Sequence, residues 1–174
     1  MTNCLISTGN ELNCGEFTLQ GGVSKIYIAN AEQLTSFTDV SLDGIFDTIT
    51  MVGANVFYEF AFYKDGSMAT QTLELSEGRS ALKQTVMLTI PNYDQAKATL
   101  AGQLTHSKIV VIFELKNGKK FVYGYGLDGT KTPLEAEATE MTSGRAMADN
   151  LGTTYTFSCY ASTYAPEFIG TIPV

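Results

Sequence analysis

A few groups of residues in this chain could do chemistry. Gly124-Tyr125-Gly126-Leu127-Asp128-Gly129 has the G-x-G-x-x-G spacing by which a glycine loop wraps a pyrophosphate. That use requires the third glycine to open a helix whose N-terminus faces the phosphates. Here Thr130-Lys131-Thr132-Pro133 follows and then an alternating run, so the segment reads as a strand-end loop and no cofactor is expected. Asp39, Asp43 and Asp47 recur every four residues and could offer hard oxygens to calcium. A calcium loop of the EF-hand type instead places carboxylates at alternate positions and closes on glutamate. These acids read as turn formers, and no metal is expected.

His106 is the only histidine, and no G-x-S-x-G nucleophile elbow accompanies it. It is expected near a helix end, where a cation is favoured. Glu135, Glu137 and Glu140 could act as paired catalytic carboxylates, but Glu135 and Glu137 share one strand face and read as a solvated edge or a charged surface. Tyr58, Phe60 and Phe62 also share a face; without flanking basic residues they read as core rather than as a base-stacking platform. Cys4, Cys14 and Cys159 are odd in number and lack C-x-x-C spacing, which fits neither a disulfide framework nor a zinc site. Cys4 and Cys14 could pair with each other, and Cys159 reads as a small buried residue. No catalytic, cofactor-binding or metal-binding residue is expected, and the chain does not read as an enzyme.

Composition points the same way. Among 174 residues, 18 Asp and Glu outweigh 11 Lys and Arg, a formal charge of −7. General nucleic-acid binding needs clustered cations to displace counterions, so this balance argues against it. Hydrophobic residues make up 44%, ample for one packed domain. No run approaches the 18 apolar residues of a membrane span, and the first residues lack the cationic and apolar blocks of a secretory signal. The expectation is a chain made in a reducing cytoplasm, without membrane contact.

The elements that carry these residues are mostly strands. With 22 threonines, 9 tyrosines and 10 phenylalanines, the chain is rich in sheet formers. Period-2 alternation marks strands over 24–29, 45–52, 56–63, 68–76, 81–90, 108–115, 119–125, 134–141 and 153–161. Asp65-Gly66 predicts a hairpin joining 56–63 to 68–76, and Asn117-Gly118 predicts another between 108–115 and 119–125. One helix is predicted near residues 92–104, capped by Asn92 and with Tyr93, Ala96, Leu100 and Leu104 on its buried stripe. The fold class is therefore mainly β: an antiparallel β-sandwich or barrel with one packed α-helix. The domain is placed at 24–161, between an N-terminal arm (1–23) and a C-terminal arm (162–174). Leu5, Ile6, Leu12, Phe17, Tyr164, Phe168, Ile169 and Ile172 make both arms too apolar for solvated tails, so they are expected to dock on a neighbouring subunit.

The order of these pieces also carries a resemblance. Gly21-Gly22-Val23-Ser24-Lys25-Ile26-Tyr27-Ile28-Ala29-Asn30 is followed by Asp43-Gly44-Ile45-Phe46-Asp47-Thr48-Ile49-Thr50 and Val56-Phe57-Tyr58-Glu59-Phe60. Then come the helix, the Asn117-Gly118-Lys119 hairpin, and Asp149-Asn150-Leu151-Gly152-Thr153-Thr154-Tyr155-Thr156-Phe157. From Gly21 to Phe157 the chain resembles virion structural proteins of tailed bacteriophages, especially those infecting Bacteroidetes, of the major tail (tail tube) kind. The 162–174 segment departs from that pattern.

The resemblance implies self-assembly into hexameric rings that stack as a tube, in contact with other tail proteins. Genomic DNA passes through the lumen without specific binding. It places the protein in the virion tail, assembled in the host cytoplasm, with no catalytic residue to carry over. The predicted 57–76 hairpin is the candidate inner wall, with Thr70, Thr72 and Glu74 toward water, and a subunit charge of −7 suits a lumen that repels phosphate. The alternatives are a head-decoration or neck virion protein, and a carbohydrate-binding β-sandwich module in which Tyr and Phe stack on sugar rings. A small hydrolase ranks last.

Overall fold

A computed structural model of the chain describes residues 21–39, 44–63, 66–76, 79–92, 94–143 and 151–174. In chain order the elements are β1 (Val23–Asn30), β2 (Leu34–Thr38), β3 (Ile45–Phe46), β4 (Thr48–Met51), β5 (Tyr58–Phe60), β6 (Ser67–Ser76) and β7 (Arg79–Pro91). They continue with α1 (Gln95–His106), β8 (Ile109–Leu115), β9 (Lys120–Tyr123), β10 (Glu135–Thr142), β11 (Gly152–Ala161) and β12 (Glu167–Phe168). The strands form a six-stranded sheet in the order β3-β12-β9-β8-β1-β5, a four-stranded sheet in the order β10-β11-β7-β6, and a β2-β4 ribbon. All pairings are antiparallel except β12 with β3. The fold is mainly β and sandwich-like with one helix, as the alternation predicts; the barrel alternative is not realised, because the four-stranded sheet keeps two end strands.

The two sheets pack face to face through side chains that alternate along each strand. Val86, Leu88 and Ile90 of β7 and Tyr155, Phe157 and Cys159 of β11 meet Ile26, Ile28, Val111 and Phe113 of the six-stranded sheet. That sheet is covered on its other face too. Tyr27, Ala29, Val110, Ile112 and Val122 pack there against Phe37, Phe46, Phe57 and Phe168. Burial on both faces explains why Ile109 to Phe113 is an unbroken apolar run in which every residue is buried.

Several sequence expectations need correction. The Asp65-Gly66 hairpin does not form: β5 pairs with β1 in one sheet, whereas β6 pairs with β7 in the other. Phe57 is the reason, because it is buried in the second core while Gly66 donates its N–H to the Tyr63 carbonyl at 2.8 Å. The segment therefore crosses between sheets instead of folding back on itself, and only β6 of the proposed wall lies on the four-stranded sheet. Of the predicted aromatic core face, Tyr58 is 59% exposed, while Phe60 and Phe62 pack partly against the first core.

The helix begins at Gln95 rather than after Asn92. Asp94 caps it by accepting from the Lys97 N–H at 2.8 Å, while Asn92 sits at φ 60°, outside helical space. Leu104 is its one buried residue among those described, Leu100 is half-buried, and Ala96 is exposed; Tyr93 lies outside the described residues.

The C-terminal segment also differs from expectation. Instead of reaching for a neighbour, residues 166–173 complete their own domain. β12 lies between β3 and β9, Val122 donates to the Pro166 carbonyl at 3.0 Å, and Phe57 donates to the Pro173 carbonyl at 2.8 Å. Phe168 is 1% exposed, with its ring edge-on to Phe37 at 6.0 Å. Tyr164 and Ile169 remain exposed. The N-terminal arm lies outside the described residues except for Gly21, Gly22 and Val23, the last of which starts β1.

Candidate functional site

The glycine loop, Asp39 and His106 lie in separate places. The Gly124–Gly129 loop joins β9 to β10: Gly129 donates to the Gly126 carbonyl at 3.0 Å and Thr130 N–H to Asp128 Oδ1 at 3.0 Å. Gly124 has φ +89°, and a Cβ there would press on Leu134 Cδ1 at 3.0 Å and the Ile109 carbonyl at 3.2 Å. Close backbone packing accounts for that glycine. Asp39 accepts from the Gly44 N–H at 2.6 Å, a turn contact, and Asp43 lies outside the described residues. Among the described residues no group of three or more His, Cys, Asp or Glu could hold a metal. His106 sits exposed in the last turn of α1.

Cys159 is buried beside Gln84, whose Oε1 accepts from the Gly124 N–H at 3.1 Å and faces Cys159 Sγ at 3.6 Å. Burial pushes the Cys159 thiol up to about 11 and the Tyr123 phenol up to about 12. A thiol held protonated is a poor nucleophile. In a Cys4→Ser/Cys14→Ser variant, maleimide at pH 8 should leave Cys159 unlabelled until urea unfolds the chain; mass spectrometry reads the result. Both groups hold their protons more tightly folded than unfolded. Their contribution to stability is therefore complete below the ordinary values of 9.0 and 10.0 and is lost as pH rises toward 11 and 12.

The glutamates, by contrast, come together on a surface. The six-stranded sheet is covered on both faces, but the four-stranded sheet turns only one face to the core. Even-numbered positions of β7 and odd-numbered positions of β11 point inward, so Thr85, Met87 and Thr89 of β7 and Thr154, Thr156 and Ser158 of β11 stand on the outer face. Register adds Met68, Thr70, Thr72 and Glu74 from β6. The Thr89 and Thr154 hydroxyls pair at 3.0 Å across the strands.

A β-bulge sets the charge of this face. Glu135 pairs opposite Ser158, the register shifts between Ala136 and Ala138, and Glu140 then pairs opposite Thr154. Without the extra residue, strict alternation would send Glu140 to the core side of Glu135 and Glu137. With it, all three glutamates share the open face. Glu137 binds Lys83 Nζ at 3.0 Å; that hydrogen bond and a second from Ser158 hold its carboxyl below the usual range. Lys108 lies 3.2 Å from Glu135 at the rim, and the Tyr160 hydroxyl is 3.3 Å from Glu74 Oε2. The outcome is a flat, threonine-rich wall with a net negative charge among its described residues.

Both ends of this wall are long strands. β6 has 10 residues and β10 has 8, and each is an end strand of the sheet. Such edges are templates for pairing with another chain unless they are short, bulged or charged. β6 carries Met68, Leu73 and Leu75 at 48%, 46% and 75% exposure, and β10 carries Met141 at 54%. Sequence reasoning located Thr70, Thr72 and Glu74 but assigned them to the wrong hairpin. For Glu135 and Glu137 it left a solvated edge and a charged surface open; the structure makes β10 an end strand with both glutamates on its open face. No protein-family model matches the chain, and no curated protein matches it.

Proposed function

We propose that the protein is a virion structural subunit of the tail-tube kind, which closes into rings by joining β6 of one copy to β10 of the next and stacks those rings into a DNA-conducting channel. The single observation that carries this reading is the four-stranded sheet with one face uncovered among the described residues and two long, apolar-studded end strands. Its strand number is even and every pairing in it is antiparallel, so β6 and β10 run in opposite directions. In a cyclic ring every copy points the same way along the axis. Each β10–β6 junction is then antiparallel like the rest of the sheet, and closure removes both edges. Six copies, the number the family resemblance implies, give about 24 strands and a wall roughly 40–50 Å across at the backbone, wider than a DNA duplex.

The open face then becomes the lumen. Glu74, Glu135, Glu137 and Glu140 against Lys83 give it the sign of DNA phosphate. Threonine hydroxyls offer hydration without a cationic hold, which suits passage rather than binding. The role is assembly, not catalysis. A sugar-binding module gains little support, because most of the large aromatics lie in the two cores; of the exposed ones, Tyr58 and Tyr160 stand on different sheets and Tyr164 follows β11 outside both.

Negative-stain electron microscopy of the purified full chain across rising concentration tests the reading. Rings and tubes are the expected result. Monomers at every concentration overturn it, and isolated rings that never stack favour a head-decoration or neck position instead.

A further inference from the structure

The two end strands of the four-stranded sheet differ in how much of each can pair regularly. β6 meets β7 without a break from Ser67 to Ser76. Its open-face positions are Met68, Thr70, Thr72 and Glu74, and Glu74 is its one charged residue. β10 is interrupted, because its register with β11 shifts between Ala136 and Ala138 and leaves Glu137 as the extra residue. A ladder is broken at such a bulge, so regular pairing is open over residues 138–142 alone. Along that stretch Ala138, Glu140 and Thr142 stand on the open face, while Thr139 and Met141 lie on the core side. Ala138, itself exposed, separates Glu137 from Glu140 in the row of acids.

Side chains must keep to their own face, so the possible registers of a β10–β6 junction differ by two residues. Three of them lay five residues of β6 along 138–142. Residues 72–76 would set Glu74 directly opposite Glu140, and like charges facing each other across strands are destabilising. Residues 68–72 would leave Leu73 and Leu75 outside the regular ladder, with Leu75, 75% exposed, still in water. Residues 70–74 avoid both faults. We propose that the junction takes this last register, with Ala138 as the notch that receives Glu74 of the next copy; the assignment rests on the tail-tube reading above. Leu73 then faces Thr139, Thr72 offers its hydroxyl to Glu140, Gln71 faces Met141, and Thr70 faces Thr142. Leu75 comes over Ala136, which already packs against the first core. The Tyr160 hydroxyl, donating to Glu74 Oε2 at 3.3 Å, holds that carboxylate on the open face. Ala138 and Glu74 are thus the residues that select the register.

Paired cysteines read the register while leaving every glutamate in place. In a full-length Cys4→Ser/Cys14→Ser chain, Thr142→Cys is combined in turn with Met68→Cys, Thr70→Cys or Thr72→Cys and oxidised with copper phenanthroline. The Thr70→Cys pair should give a ladder of disulfide-linked oligomers on a non-reducing gel, and the other two far less. A ladder strongest with Met68→Cys or Thr72→Cys, or equal in all three, overturns the register. Rings visible by electron microscopy without any ladder overturn the register alone, whereas an unmodified chain that never forms rings overturns the tail-tube reading and the register with it. The notch has its own test. Ala138→Glu should raise the concentration at which rings appear about fivefold with an unchanged circular dichroism spectrum, and adding Glu74→Lys should restore it. An Ala138→Glu chain that assembles normally, or one that Glu74→Lys does not rescue, also overturns the assignment.

Discussion

Replacing Phe168 with alanine should lower the free energy of unfolding by about 3–5 kcal/mol, read as a shift in urea midpoint without change of slope. That is a large share of the roughly 5–15 kcal/mol a domain of this size has. The ring fills the second core with Phe37, Phe46 and Phe57, on a strand that is paired with β3 on one side and β9 on the other. Removing residues 162–174 should do more and leave a chain that does not fold cooperatively. Phe57 N–H and Val122 N–H would lose their carbonyl partners, the Phe46 carbonyl would lose the Ile169 N–H as its donor, and β3 would lose its strand neighbour. Gly170→Ala probes the same seat more finely, since a Cβ there would overlap the Asp47 carbonyl oxygen. A truncated chain with a native spectrum and midpoint would refute this account and restore the picture of a detachable arm.

The second large effect concerns assembly. Leu73→Lys with Leu75→Lys on β6 should abolish rings, while the monomer's stability stays within about 1 kcal/mol, because Leu75 is 75% exposed and Leu73 46%. Met141→Lys on β10 should do likewise from the other side of the junction. Each variant keeps one intact edge. Mixed in equal amounts, the two should therefore form dimers and stop there, since a head-to-tail contact with one usable junction cannot propagate. Analytical ultracentrifugation distinguishes dimers from rings. Ile169→Lys, exposed at the opposite sheet, serves as the control that still assembles. If rings survive the β6 changes, or the mixture yields rings, the junction lies elsewhere.

These results bear on how far the sequence could be read. Alternation of Val86, Leu88 and Ile90 against Thr85, Met87 and Thr89 was decisive, because a long strand buried on one face repeats its signal many times. Asn117-Gly118 was decisive too: Gly118 takes φ +85° and Leu115 N–H donates to the Lys119 carbonyl at 2.8 Å. Asp65-Gly66 misled, since a turn signal is local whereas the partner of β5 is decided by which core Phe57 enters. β12 gave no signal, for a two-residue strand has no period to detect. The bulge in β10 was equally silent, although a single inserted residue decides which way Glu140 points. The candidate surface was thus legible in its composition and hidden in its connectivity.

The parallel pair of β12 with β3 has a kinetic consequence. Ile45 and Glu167 become neighbours across most of the chain, whereas β6–β7 and β8–β9 join residues close in sequence. Local hairpins form in microseconds, and distant pairings wait on a slow chain search. By that ordering β6 pairs with β7, with Leu73 and Leu75 left on an unpaired edge, before Phe168 seals the second core. If subunits join through β6 as proposed, those at high concentration would meet through a finished junction strand on an unfinished body, and the rate of sealing relative to encounter would decide between an ordered tube and an aggregate.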